Sequence, residues 1–167
     1  MLPALHDDVI VLTGCTGKDA PAHLAGQNGH RHGWRPKSTA TVRNPFAHWA
    51  HEWDTGGATR VFAARDQVTG RLLGGCELRI QPGGSARVCY WTGAADWGHG
   101  YATRSLVLLL RYARAIGIRQ AEVHVAADNH ASRRVAEKAG FLAVSAFTAD
   151  DGTGMVQHQI NLAGSTF

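Results

Sequence analysis

WTGAADWGHGYATR, residues 91–104, is the stretch that decides how this chain folds. A strand closes at Thr92, a glycine-rich loop follows, and an amphipathic helix opens near Tyr101 with no linker between them. Gly98 and Gly100 let the main chain approach a ligand with no Cβ in the way. The first amides of a helix have no partner inside it, and the helix dipole favours negative charge at that end. Strand, glycine loop and helix start together form a cradle for a phosphate or diphosphate.

Working outward, the apolar residues Ala102, Leu106, Leu109, Leu110 and Ala113 recur at helical spacing, with Arg104, Arg111 and Arg114 left for the wet side. That pattern predicts a helix over 101–116, ended by Gly117. Upstream, residues 9–15, 60–66, 71–80 and 86–92 read as strands. The turns at 67–70 and at QPGGS (81–85) make the last three of them antiparallel neighbours. Downstream, 121–126 is a strand, Asn129 caps a helix over 130–139, Gly140 closes it, and 141–148 and 155–162 are final strands. Residues 18–54 are mixed, with helical patches near 19–26 and 46–53 around a loop rich in Gly and His. The sum is one α+β domain over 1–167, with an antiparallel front half and at least one βαβ crossover.

Composition narrows the function classes. The chain is 44% hydrophobic and 18% charged, as a soluble globular domain should be. No apolar run approaches the roughly 20 residues that span a bilayer, so no membrane partner is expected. The start, MLPALHDDVIVL, lacks a basic segment and does not read as a signal peptide, so a cytoplasmic location is expected. Cys15, Cys76 and Cys89 form no CxxC pair and read as buried free thiols. His30 and His32, and His48 and His51, have no Cys or carboxylate at zinc-ligand spacing, so no metal is expected. The net charge of +4 favours anionic ligands, but the arginines are scattered, which argues against nucleic acid. A phosphate-rich cofactor uses the same bias. There is no GxxxxGK[ST] for a P-loop. A Rossmann dinucleotide site is disfavoured because Thr103 stands at the third glycine position and the loop follows antiparallel strands rather than opening the domain.

With these residues in view, WGHGYATRSLVLLLRYA resembles the acetyl-CoA-binding segment of the GNAT superfamily, roughly [QR]xxGx[GA], with Gly100 and Ala102 in the last two positions. Trp97 stands where that pattern has Arg or Gln. The later VAADNHASRRVAEKAGF is similar to the superfamily's next helix, NxxSxxxxEKxGF, through Asn129, Ser132, Glu137, Lys138, Gly140 and Phe141. The serine variant of this helix resembles the RimJ/RimL branch. The resemblance spans roughly 60–162. It implies a GNAT fold, with a mostly antiparallel central sheet, two parallel strands (86–92 and 121–126) that splay apart, and flanking helices. It also implies acetyl-CoA as cosubstrate and a small-molecule amine or a protein N-terminus as acceptor; homodimers are common among such proteins.

The same resemblance supplies expectations for individual residues. The cofactor would touch Tyr90, Trp91, Thr92, Trp97, Gly98, His99, Gly100, Tyr101, Ala102, Thr103 and Asn129. Its pantetheine arm would lie along residues 90–92 as an extra strand does. The amine must lose a proton and the leaving thiolate must gain or tolerate one. A helical Tyr acid is unavailable because Ala136 occupies its position; Ser132 matches the serine that has the acid role in the RimL-like branch, the other reading being that it caps or solvates the helix start. Asp151, in the turn after the helix, and Glu77, a carboxylate in an apolar strand, are the base candidates. Trp34, Trp49 and Trp53 are candidates for the acceptor pocket. Loss of the Tyr and of the Arg/Gln leaves a second reading open, an acetyl-CoA-binding module without turnover.

Overall fold

The computed structural model of the chain describes residues 5–19 and 45–164. All but Asp19 of the helical patch expected near 19–26, and the loop carrying His30, His32 and Trp34, lie outside those residues. Among the described residues eight strands form one sheet: β1 (Leu5–His6), β2 (Ile10–Gly14), β3 (Thr59–Asp66), β4 (Leu72–Gln81), β5 (Ser85–Thr92), β6 (Gln120–Ala126), β7 (Leu142–Thr148) and β8 (Gly154–Asn161). Their spatial order is β1-β2-β3-β4-β5-β6-β8-β7. Helix α1 covers Pro45–Thr55, α2 Tyr101–Ala115 and α3 His130–Lys138. Each element expected from the sequence within these residues is present, with ends moved by one or two positions. The short β1 is an addition that the sequence did not announce.

Every strand pair is antiparallel except β5 with β6, the pair joined by the crossover through α2. The fold is therefore α+β with a mixed, mostly antiparallel sheet. Alternation along the strands sets the two faces. Cys76, Leu78, Val88, Val123 and Ile160 turn to the side covered by α2 and α3, where Leu106, Leu109, Leu110, Ala113 and Phe141 complete a dry core. On the other side α1 lays Trp49 against Val61 and Cys15. Trp53 instead packs edge-on to Phe62 at 5.0 Å and beside Tyr112, and its indole N–H donates to the Val61 carbonyl at 3.2 Å. Its half-buried ring thus packs against the core.

The decisive irregularity lies between β5 and β6. They pair at only three positions, Ser85↔Gln120, Ala86↔Ala121 and Arg87↔Glu122, and then separate. Beyond that vertex β5 stays on β4 as far as Gly74↔Thr92, while β6 stays on β8 as far as Ala126↔Met155. Each tine of the fork thus has a full partner on its outer side. The Arg87 guanidinium closes the vertex, donating through Nε and Nη2 to Glu122 Oε1 at 3.0 and 2.9 Å, while Gln157 donates to the other Glu122 oxygen at 2.7 Å.

Candidate active site

Three local structures meet at the open end of the fork. The first is the turn between β5 and α2. Its base is rigid: buried Asp96 accepts two bonds from Arg71, at 2.7 and 3.0 Å, and the Gly93 N–H donates to the Leu73 carbonyl at 2.9 Å. Its tip is open. Gly98 and Gly100 sit at φ +82° and +80°, where any side chain would be strained, and a Cβ at either would meet nothing within 4 Å. Gly100 is the N-cap of α2 and, having no side chain, supplies no capping bond. The residues expected to touch the cofactor here, Gly98 to Thr103, are thus the open tip of the turn and the first turn of α2, whose side-chain cap is missing.

Trp97, the departure from the GNAT pattern, does local work. Its indole N–H donates to the Thr92 carbonyl at 2.9 Å, tying the loop back onto the end of β5. The ring is half-exposed. His99 stacks on Tyr101 with ring centres 5.5 Å apart and planes 15° apart, and its Nδ1 lies 3.3 Å from the Asp96 carbonyl.

The second structure is the inner edge of β5. In an antiparallel ladder the main-chain groups of successive residues point alternately to the two neighbours. Gly93 bonds to Leu73, so residues 91 and 89 also turn to β4, and the main-chain groups of Val88, Tyr90 and Thr92 turn into the fork. Of the stretch 90–92, Tyr90 offers an edge for an extended ligand, while the Thr92 carbonyl already serves Trp97. Trp91 contributes its ring on the other face, laid over Gly75, where a Cβ would stand 2.7 Å from the indole nitrogen. Gly75 is thus required by the tryptophan of the next strand.

The third structure is the first turn of α3. Asn129 caps it, its Oδ1 accepting from the Ser132 N–H at 3.0 Å. The Tyr90 side chain crosses the fork to this turn. Its hydroxyl donates to the Ser132 carbonyl at 2.8 Å and lies 3.0 Å from Ser132 Oγ. Burial pushes the Tyr90 phenol up to about 12, so it stays a neutral donor even though the bond to Ser132 acts in the opposite sense. The structure thus joins Ser132, Tyr90 and Asn129 in one cluster.

On the other face, Glu77 and Cys89 are cross-strand partners on one tine, and Glu122 and His124 stand on the other. Glu77 is buried; burial raises its carboxyl above the usual range although Arg79 bonds to it at 2.8 Å. His124 is a residue that sequence reasoning passed over, although the alternation in AEVHVA places it beside Glu122. It packs edge-on to Phe147 at 5.0 Å and 3.5 Å from Glu122. Burial, joined by Arg87, lowers its pKa, leaving a neutral imidazole near neutrality. Asp151 is not in this row. It lies in the exposed β7–β8 turn, where its carboxylate accepts from the Thr153 N–H at 3.0 Å. That turn is at the fork's open end, since the Ala127 N–H donates to the Gly154 carbonyl at 2.9 Å. The cysteines offer no nucleophile: burial pushes Cys15 up to about 12 and holds Cys76 and Cys89 above the usual thiol range. Among the described residues no group of three or more His, Cys, Asp or Glu is placed to hold a metal.

A forked parallel pair with an uncapped, glycine-led helix at its mouth is the arrangement that the sequence resemblance implied. The family profile of the GNAT acetyltransferase domain matches residues 10–142. The chain belongs to the GNAT acetyltransferase family. The cosubstrate of this acetyltransferase is accordingly acetyl-CoA. No curated protein matched the sequence. Solved structures do. RimL ribosomal-protein acetyltransferase in complex with coenzyme A superposes with a TM-score of 0.81 at 17% identity, covering 98% of this chain and all of its own. A ribosomal-protein-alanine acetyltransferase from Vibrio fischeri gives 0.80 at 12%, covering 99% and 100%. A spermidine N-acetyltransferase chimera of Vibrio cholerae SpeG and hSSAT gives 0.75 at 17%, covering 92% and 96%. At such identities the likeness is one of fold.

Proposed function

We propose that this acetyltransferase moves an acetyl group from acetyl-CoA to a primary amine, by direct attack with both substrates bound. The observation that carries the reading is the fork: β5 and β6 part after Arg87↔Glu122, and the α2 N-terminus, without a side-chain cap, opens at its mouth. The amides from Gly98 to Thr103 hold the diphosphate, where the helix dipole and the absence of Cβ atoms favour it. The inner edge of Tyr90 pairs with the pantetheine amides as an added strand would. When bound, the thioester supplies the acetyl group and a leaving sulfur.

The protein's own residues do the rest. Ser132, on the helix-covered side, donates a hydrogen bond to the sulfur as it leaves. Glu77 takes the amine's proton on the opposite face; burial makes it a stronger base than an exposed carboxylate. Asp151 has the weaker claim, because its carboxylate is exposed in the β7–β8 turn and gains no basicity from burial. Acceptors of the neighbours, a ribosomal protein N-terminus and spermidine, define the two classes to try first, and the RimJ/RimL-like serine helix favours the N-terminal peptide. A cytoplasmic protein, monomeric or paired, fits such a substrate; among the described residues no helix is long and apolar enough to cross a membrane.

The test is a panel of short peptides beginning with Ala, Ser or Met, together with spermidine, followed by release of CoA thiol. Turnover on a peptide supports the reading. Acetyl-CoA binding by calorimetry with no turnover on any acceptor would instead favour the non-catalytic module.

A further inference from the structure

We infer that Tyr90 is a positioning residue for the leaving sulfur, working as one unit with Ser132; this rests on the assignment of Ser132 above. The geometry sets the direction of both hydroxyl protons. The Ser132 carbonyl can only accept, so the 2.8 Å contact uses the Tyr90 proton. The 3.0 Å contact between the hydroxyls is then donated by Ser132 Oγ. In the resting protein Ser132 thus points its proton at Tyr90.

An aliphatic alcohol is a far weaker acid than a thiol of pKa about 8.5, so Ser132 cannot protonate the departing sulfur outright. It can turn. As the carbon–sulfur bond breaks and the electron pair settles on sulfur, the Ser132 O–H rotates from Tyr90 to the sulfur. The Tyr90 O–H then swings from the Ser132 carbonyl to the vacated lone pair of Oγ. The chain Tyr90 to Ser132 to sulfur forms by two rotations, with no proton changing its heavy atom, and each bond polarises the next. The thiolate later takes its proton from water. Half-buried against α3, the neutral phenol supplies the second hydroxyl of this chain from β5, in a protein with Ala136 where a helical tyrosine acid would stand.

The experiment compares Tyr90→Phe, Ser132→Ala and the double variant on the fastest acceptor of the panel. Tyr90→Phe should lower kcat about tenfold and leave the acetyl-CoA KM within about twofold, because the bond strengthens only as charge develops. The double variant should be no slower than Ser132→Ala. A second readout needs no acceptor: calorimetric affinity for CoA itself should rise from about pH 7 to about pH 9.5 as its thiol ionises, and that rise should shrink in Tyr90→Phe. If Ser132→Ala is slow but Tyr90→Phe matches the wild type in both readouts, Tyr90 has no such part and Ser132 keeps its own. Multiplying effects in the double variant would show that Tyr90 acts alone. Wild-type behaviour of all three variants would remove the Ser132 assignment together with this one.

Discussion

Two helices begin at the same cleft, and they begin differently. At α3 the cap is Asn129, which fills its own amide deficit by accepting from Ser132. At α2 the cap is Gly100, in the left-handed region with no side chain to offer. Every helix leaves its first amides without internal partners. One helix of this protein settles that need with its own sequence, and the other leaves it to a ligand. The difference is one side chain, and it separates a structural helix start from a binding helix start.

The comparison can be broken first at its binding side. Gly100→Glu places a carboxylate where the diphosphate lies and should weaken acetyl-CoA at least about a hundredfold in calorimetry, through like charge and strained φ together. Gly100→Asn is the sharper form. Asn tolerates positive φ better than other residues and can cap the helix, so acetyl-CoA affinity should fall while Tm holds or rises. A fall in both would show that Gly100 serves only the turn. Next is the fork's vertex. Arg87→Ala leaves Glu122 without its two-pronged partner and should raise the acetyl-CoA Kd several-fold, with a loss of stability on the order of 1 kcal/mol in urea unfolding. On the structural side, Asn129→Ala should cost about 1 kcal/mol and disturb kcat less than Ser132→Ala does.

The smallest expected effect concerns acid. Asp7 is buried enough to push its carboxyl up, but the Ile10 and Val9 amides and Arg104 outweigh this and lower it; Asp19 is lowered in the same way by Thr16 and Arg65. A carboxylate lowered on folding stabilises the protein above its unfolded pKa and loses that contribution as pH falls through the folded one. These two carboxylates should therefore make Tm decline below about pH 4, after a smaller decline below about pH 6.5 from His124, whose pKa is lowered on folding. A Tm that holds below about pH 4 would contradict the carboxylate part.

Much of this was legible in the sequence because it is local. Glycines at 98 and 100, the heptad-like leucines of α2 and the Asn–Ser spacing of α3 act within one turn or one strand, so their pattern states their role. The vertex was not legible as a bond, since Arg87 and Glu122 are far apart in sequence and meet only through the crossover. Tyr90 was marked for its main chain, while its hydroxyl works across the fork on a residue 42 positions away. His124 went unnoticed because a strand's alternation tells which face a residue takes and not what stands opposite. Trp53 shows the same limit: its position in α1 does not tell that its ring meets Phe62 and Tyr112. At the far edge, β7 reads as an ordinary apolar strand, yet Leu142, Val144 and Phe147 stay exposed because nothing in the described residues covers that edge.

The central claim is that amides around the α2 start grip a diphosphate. Amide NMR of the labelled protein titrated with CoA tests it most directly. The account predicts large downfield shifts confined to residues 98–103, lost in Gly100→Asn, with smaller shifts along 88–92. Saturable CoA binding that leaves 98–103 unmoved would contradict it.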